Sequence, residues 1–208
     1  MNEHLVAILP MVSFAFATAA SPGPVNIVAA MSGAQFGVKK SLSYVVGAAA
    51  AFVAILLCVG IGLGSVLVSN RLMTNGFAIA GAIYMLYLSF RLATSKSNDT
   101  GDNTAPPPRV MSGAIAQCLN PKAWIICISA ISIYVVNSKD YTLYLSIFCA
   151  IFFVVCFFSI LGWVIVGSKA SSTLNGNYSV FNKVMAGLLA LSVIYFMLTS
   201  SCWVEPEH

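Results

Sequence analysis

Residues 19–28 read AASPGPVNIV and interrupt a segment of the chain that is otherwise almost wholly apolar. Pro22, Gly23 and Pro24 stand together in this stretch. Proline lacks the backbone N–H and clashes with the preceding helical turn, and glycine permits unusual dihedral angles. A helix that enters the stretch must therefore break there. Such a break needs a reason, because it frees backbone groups inside an apolar segment.

The composition of the chain places it in a membrane. Of its 208 residues, 59% are hydrophobic and 8% are charged, and the mean hydropathy is +0.91. A soluble domain has about 25% charged residues, so this chain cannot coat a water-facing surface. Its net charge of +4 forms no basic stripe of the kind that binds nucleic acid. We predict an all-α integral membrane protein, because each apolar segment must satisfy its own backbone in lipid.

Six apolar stretches are each long enough to cross the bilayer, which takes about 20 residues. They cover residues 5–31, 42–68, 73–92, 110–136, 143–166 and 184–203. The polar stretch 95–109 is rich in Ser, Asn, Asp and Pro, which is typical of a flexible linker. We therefore predict that residues 95–109 form a cytoplasmic linker between two halves of the chain. The first half, residues 1–94, and the second half, residues 110–208, would each contain three transmembrane helices.

The distribution of charge predicts the orientation of the six spans. Seven basic residues fall on the side of the first, third and fifth connections: Lys39, Lys40, Arg91, Lys96, Arg109, Lys169 and Lys183. The opposite side holds two, Arg71 and Lys139. Connections rich in Lys and Arg stay in the cytoplasm, so both termini are predicted to lie outside it. The N-terminus imitates a signal peptide, but Glu3 and the lack of basic residues there favour a retained helix.

The two halves share one feature, since each breaks its first helix with proline. The second half does so at QCLNPK, residues 117–122. A half with three spans starts on one side of the membrane and ends on the other, so a second copy of it must enter from the opposite side. This arrangement is the inverted repeat of many transporters. At about 1.5 Å per residue, Pro121 lies roughly 15 Å inside its span, near the middle of the bilayer. We therefore expect the two breaks to approach one level and form a central substrate site.

The residues at the two breaks are the candidate substrate-binding residues. They are Ser21, Pro22, Gly23, Pro24, Asn26, Gln117, Asn120, Pro121 and Lys122. A half-helix that starts after Pro24 would point N–H groups and a positive dipole end at a cavity, which suits a carboxylate. Lys122 is placed deep in a span, which costs about 2.5–3.5 kcal/mol. It can bind a substrate carboxylate, exchange a proton or, in the alternative, snorkel to the interface.

All six acidic residues fall at the termini or in connections, outside the predicted spans. Proton coupling would then use Lys122, the substrate itself or a water chain, and a facilitator driven by the substrate gradient is the alternative. The six cysteines are scattered through apolar segments without a CxxC pair, so neither a metal site nor a cofactor is predicted. Trp124 is a candidate cavity wall, and Trp203 is a candidate interface anchor.

Glycine pairs at residues 33–37 and 60–64 predict close packing of helices. Two glycines four residues apart lie on one face of a helix and let another backbone approach. The partner is either another helix of the same chain or a second copy in a homodimer.

Three sequence elements carry a resemblance to a known family. They are SPGPVN at residues 21–26, GAIYMLYLSFRL at residues 81–92 and QCLNPKAW at residues 117–124. With these elements, the chain resembles the LysE/RhtB family of bacterial amino acid exporters along essentially its whole length. The resemblance implies a multi-pass inner-membrane exporter rather than an enzyme. The NPKAW form is most similar to the RhtB branch, which exports small neutral amino acids or derivatives of the cysteine/O-acetylserine, homoserine/threonine or leucine type.

Export by alternating access, in which the two halves rock around the central site, is the main functional prediction. A permease for a metal or other inorganic ion is the alternative, because thiolates bind soft ions. A membrane redox relay would need a pair of thiols. Cys118 adjoins the second break, but the first predicted span has no cysteine. A purely structural role is less favoured, because no large region lies outside the predicted spans.

Overall fold

The computed structural model describes residues 3–62, 71–94, 106–136, 138, 140–173 and 178–201. Every regular element in those ranges is an α-helix, which agrees with the predicted fold class. The helices are α1 (Glu3–Ala20), α2 (Pro24–Gly60), α3 (Arg71–Thr94), α4 (Val110–Cys118), α5 (Pro121–Tyr134), α6 (Tyr141–Thr173) and α7 (Tyr178–Ser201). Residues 95–105 of the predicted linker, Gly64 of the second glycine pair and Trp203 lie outside the described residues.

Both predicted breaks are present, and each separates two helices. Helix α1 ends at Ala20 and α2 begins at Pro24, while α4 ends at Cys118 and α5 begins at Pro121. Proline is thus the first residue of the new helix in both halves. This position suits proline, because the first N–H groups of a helix have no intrahelical partner.

Helix α2 is a hairpin of two arms that turn at Gly37. Gly37 has φ 74° and ψ 173°, a non-helical conformation in the region that favours glycine. The hydroxyl of Tyr44 donates a hydrogen bond to Val25 O at 3.2 Å. In a straight helix these two residues would be about 28 Å apart along the axis. The first arm, residues 24–36, and the second arm, residues 38–60, therefore lie side by side.

The lengths of the helices support some of the six predicted spans and leave the others untested. In the described part of the chain, two helices are long and apolar enough to cross a membrane, α2 and α6. Because α2 turns at Gly37, its longer second arm, residues 38–60, is the part that could do so. The α4–α5 pair, bent by 66° at its break, is a third if it counts as one span. Shorter apolar helices cover Ile8–Ala20, Ile79–Arg91 and Ser179–Leu191. The six spans, their inverted repeat and their orientation stay predictions.

Close crossings at glycine hold the first arm of α2 against α6. A Cβ on Gly33 would clash with the backbone of Val164, and a Cβ on Gly167 would clash with the backbone of Ala30. The two contacts are reciprocal, so the backbones of these helices touch directly. Gly33 of the first predicted glycine pair therefore packs within the chain, while its partner Gly37 forms the turn. The homodimer stays a prediction.

A second reciprocal crossing joins the second arm of α2 to α4. A Cβ on Gly47 would clash with the backbone of Val110, and a Cβ on Gly113 would clash with the backbone of Tyr44. Helix α4 belongs to the second half of the chain and α2 to the first. The two halves are therefore interleaved, and each arm of α2 is packed against a helix of the other half.

Apolar side chains fill the core and also cover much of the outer surface. In the core, Phe52 of α2 stacks on Phe152 of α6, with ring centroids 4.7 Å apart. On the outside, Leu9, Phe90 and Met111 are 70%, 68% and 67% exposed. Large apolar side chains exposed to this extent are typical of a surface that faces lipid.

Candidate functional site

The first break frees the carbonyl groups at the end of α1, which have no intrahelical partner. The side chain of Asn26 donates from Nδ2 to Ala19 O at 2.8 Å and to Ser21 O at 3.0 Å. The indole N–H of Trp163, on α6, donates to Ala20 O at 3.1 Å. Side chains from both halves of the chain therefore bind the carbonyl end of α1.

The start of α2, by contrast, has no side-chain cap. Gly23 occupies the capping position, has no side chain, and leaves the helix start without a side-chain hydrogen bond. Pro24 has no N–H to offer. The N–H groups of Val25 and Asn26 belong to the first turn, where no intrahelical carbonyl reaches them. This end of α2 therefore presents hydrogen-bond donors and the positive end of the helix dipole.

The second break satisfies its own helix start. Asn120 precedes α5, and its Oδ1 accepts from the backbone N–H of Lys122 at 3.2 Å, which is an N-cap. Its Nδ2 donates to Gln117 Oε1 at 3.4 Å. On the other side of the break, Cys118 O accepts from the indole N–H of Trp124 at 2.7 Å. Trp124, predicted as a cavity wall, thus binds the carbonyl end of α4.

Lys122 connects the two breaks. Its Nζ lies 2.7 Å from Ser21 Oγ, 3.1 Å from Ser21 O and 3.5 Å from Pro22 O. Gly23 leaves space for this side chain, because a Cβ there would lie 3.2 Å from Nζ and 3.3 Å from Cδ of Lys122. The lysine therefore reaches into the first break rather than out to the interface, and the two breaks meet.

A cavity of about 30 Å³ lies where the breaks meet. The polar side chains that line it are Thr18, Asn26, Gln117, Asn120 and Lys122. The less polar side chains that line it, which form its less polar wall, are Phe52, Ala123, Ile126, Cys156 and Ile160. This volume is enough for about one water molecule. An amino acid would need a wider cavity, so the site is closed in this structure.

The predicted residues divide into two groups. Those that line the cavity are Gly23, Asn26, Gln117, Asn120 and Lys122. Of the others, Ser21 and Pro22 lie beside it as acceptors for Lys122, and Pro24 and Pro121 begin the helices that form it. The structure thus brings the whole predicted set to one place, and a role in binding substrate stays a prediction.

Sequence reasoning missed the less polar wall of the cavity. Phe52 comes from the second arm of α2, and Cys156 and Ile160 come from α6. The last two are four residues apart, so they share one face of their helix. That spacing does not reveal what the face contacts, and no other signal in the sequence places it at the breaks.

Few ionisable side chains lie near the cavity. Lys122 and Cys156 line it, while the two acidic residues of the described ranges are Glu3, the first residue of α1, and Asp140, which directly precedes α6. Within the described ranges, no three side chains of the His, Cys, Asp or Glu types form a group that could hold a metal ion. Cys118, beside the second break, has a free thiol.

Known proteins similar to this chain include efflux proteins. The chain is 32% identical to the cysteine/O-acetylserine efflux protein of Escherichia coli O1:K1 and 31% identical to that of Escherichia coli strain K12, each over 124 residues. Each match covers 59% of this chain and 63% of the relative, which is less than two thirds of its length. No solved structure matches the chain significantly. The family model described as LysE type translocator matches residues 16–199, and the chain therefore belongs to the LysE family of membrane translocators.

Proposed function

We propose that the chain exports small neutral amino acids or their derivatives across the bacterial inner membrane. The observation that carries this proposal is the cavity between the two helix breaks, whose lining includes both an uncapped helix start and a less polar wall. The similar proteins named as cysteine/O-acetylserine efflux proteins support this substrate class.

The start of α2 is the proposed site for the substrate carboxylate. The N–H groups of Val25 and Asn26 lie in the first turn of this helix, and both residues line the cavity. An anion at such a position gains hydrogen bonds and a favourable interaction with the helix dipole. The ammonium of Lys122 adds positive charge next to Gly23, at the same helix start.

Gln117 and Thr18, which also line the cavity, are the proposed site for the substrate ammonium group. Gln117 Oε1 accepts from Asn120, and a carbonyl oxygen has a second lone pair to offer. The hydroxyl of Thr18 donates to Phe14 O at 2.7 Å, so its oxygen is able to accept. The lining of the cavity thus combines two acceptors with the donors of α2, and this combination suits a zwitterion.

The less polar wall is the proposed site for the substrate side chain. Phe52, Ile126 and Ile160 are apolar, and Cys156 is a small side chain among them. A cationic side chain would need a carboxylate, and the described residues that line the cavity include none. The wall therefore favours small uncharged side chains over those of lysine or arginine.

Substrate entry requires the cavity to widen beyond its volume of about 30 Å³. We infer that this happens by alternating access, with the closed site open in turn to each side of the membrane. The proposed framework is six spans in two inverted halves, residues 1–94 and 110–208, joined by a cytoplasmic linker, with both termini outside. Coupling to protons through Lys122 belongs to the same scheme, and a several-fold faster efflux under an imposed proton gradient would support it.

The test measures efflux from proteoliposomes that contain the purified protein. They are loaded with cysteine, O-acetylserine, homoserine, threonine, leucine and lysine under reducing conditions, and empty liposomes are the control. We expect at least one neutral compound to leave several-fold faster than from empty liposomes, while lysine leaves at the background rate. If no amino acid moves and a metal or inorganic ion does, the alternative of an ion permease replaces this proposal.

A further inference from the structure

The carbonyl end of α1 has the arrangement of a cation site. Three oxygen atoms face Lys122 Nζ: Ser21 Oγ at 2.7 Å, Ser21 O at 3.1 Å and Pro22 O at 3.5 Å. An ammonium group has three N–H donors, so these oxygens match its full donor set. Carbonyl and hydroxyl oxygens are also the ligands that replace the hydration shell of small monovalent cations.

Among the described residues, no carboxylate balances the charge at this position. Glu3 stands at the other end of the 18-residue helix α1, about 27 Å from the break. The carboxylate of Asp140 accepts from the backbone N–H of Leu143 at 3.0 Å, at the start of α6. The ammonium of Lys122 therefore faces carbonyl dipoles and the negative end of the α1 dipole, which favour any cation placed there.

We propose that the end of α1 is a binding site for a small monovalent cation or a primary ammonium group, and that Lys122 fills this site with its own tethered ammonium. The proposal goes beyond the proposed function and does not depend on which solute is moved. A tethered cation from the second half holds the break of the first half, so the two breaks stay aligned without a dissolved ion.

The path of the lysine side chain makes the site accessible to a test compound. Gly23 borders this path, with Nζ and Cδ of Lys122 close to where a Cβ would be. The substitution Lys122→Ala removes the stem beyond Cβ together with the ammonium. n-Propylammonium reproduces the atoms that are lost, so it can follow the vacated path and place its nitrogen among the three oxygens.

The test compares the melting temperatures of Lys122→Ala and Lys122→Met, both purified in detergent. Methionine keeps the stem and leaves no path, so it is the matched control. We expect n-propylammonium chloride to raise the Tm of Lys122→Ala by about 2–4 °C or more at saturation, and to leave Lys122→Met and the natural chain unchanged. If the site also accepts Na⁺, sodium chloride at equal ionic strength should raise the Tm of Lys122→Ala and not that of Lys122→Met. This result would also support the proposal.

Two results would overturn the proposal. One is the absence of a selective shift with both n-propylammonium and sodium. The other is an equal shift of Lys122→Ala with tetramethylammonium, which carries the same charge but has no N–H donor. Because these melting temperatures are measured without any amino acid, their outcome is separate from the outcome of the efflux experiment.

A second pair of variants keeps the proposal testable if Lys122→Ala does not fold. Ser21→Ala removes the oxygen closest to the ammonium, while Ser21→Thr keeps a hydroxyl. We expect Ser21→Ala to lower the Tm by a few degrees and Ser21→Thr to restore it. In a Lys122→Met background this loss should be smaller, since no ammonium remains and only the hydrogen bond that the hydroxyl donates to Thr18 O, at 2.8 Å, is removed. An equal loss in both backgrounds would overturn the proposal.

Discussion

The two helix breaks differ in how their freed backbone groups are satisfied. At the second break, Asn120 caps the start of α5 and Trp124 binds the carbonyl end of α4, so neighbouring residues satisfy both ends. At the first break, Gly23 cannot cap α2, and the second half supplies Lys122 to the carbonyl end of α1. The second break is thus self-contained, while the first keeps donors free for a ligand. Two breaks that look alike in sequence can therefore have different functions.

The largest expected effect comes from removing the link between the breaks. Lys122→Ala removes the hydrogen bonds from the ammonium to Ser21 and Pro22, and a hydrogen bond to a charged group contributes about 1.5–3 kcal/mol. We expect the initial rate of amino acid efflux from proteoliposomes to fall about tenfold or more, since 1.4 kcal/mol is a factor of ten. Lys169→Ala, which changes an exposed lysine of α6, is the matched control and should keep the natural rate. Full efflux by Lys122→Ala would show that the breaks work independently.

A serine at position 23 would give the first break the cap that the second already has. Its hydroxyl oxygen would accept from the first-turn N–H groups of α2 and so compete with the carboxylate that we propose binds there. We expect Gly23→Ser to lower efflux about tenfold, while the free energy of unfolding changes by only a few tenths of a kcal/mol. The backbone of Gly23 is extended, with φ −167°, so a side chain there causes no backbone strain.

The control for this variant is Gly23→Ala, which adds a Cβ without an oxygen atom. The added Cβ would lie 3.2 Å from Nζ of Lys122. Gly23→Ala therefore measures the effect on efflux of crowding the lysine, without a capping oxygen. A smaller loss of efflux in Gly23→Ala than in Gly23→Ser supports competition at the helix start. Equal losses would mean that crowding of the lysine, and not capping, explains the effect.

Removing the existing cap at the second break should affect the stability of the protein more than its transport rate. Asn120→Ala removes the side chain that accepts from the N–H of Lys122, and losing an N-cap costs about 1 kcal/mol. For a chain of this length we expect the Tm in detergent to fall by about 2–4 °C. Asn120→Ser, which keeps a capping oxygen, should recover most of the loss. An unchanged Tm for Asn120→Ala would contradict the view that this break is self-contained.

The smallest effect is expected at the thiol next to the second break. Trp124 binds the backbone carbonyl of Cys118, so the side chain of this cysteine is not needed for the contact. Cys118→Ser should therefore keep efflux within about twofold of the natural rate, a change of only a few tenths of a kcal/mol. A complete loss of activity would instead favour the redox relay, which depends on that thiol.

The positions of the breaks could be predicted because proline acts locally. Pro24 and Pro121 each begin a helix, as their missing N–H requires. The meeting of the breaks could be predicted from the depth of each proline in the bilayer. This depth depends only on the number of residues from the start of the span and on the rise per residue of a helix. Lys122 was placed at the site because a charge in a span needs polar partners. Each of these inferences uses a property of one segment at a time.

The rest of the site depends on how distant helices pack. Phe52 and Ile160 form part of the cavity wall, but neither is unusual in an apolar span. The fit of Gly23 beside Lys122 likewise joins residues far apart in sequence. The sequence predicts Trp124 as a cavity wall, but in the structure its indole N–H donates to Cys118 O. This carbonyl is available only because α4 ends at Cys118. Such contacts need the arrangement of the helices, which periodicity within one segment does not determine.

The reciprocal glycine crossings have a mechanical consequence. The first arm of α2 and α6 touch backbone to backbone, and so do the second arm of α2 and α4. The helices of each pair have little room to slide past each other, because no flexible side chains separate their backbones. Each pair takes one helix from each half of the sequence, and Phe52 of the second arm also stacks on Phe152 of α6. Any rocking of one half against the other would therefore have to disturb these backbone contacts.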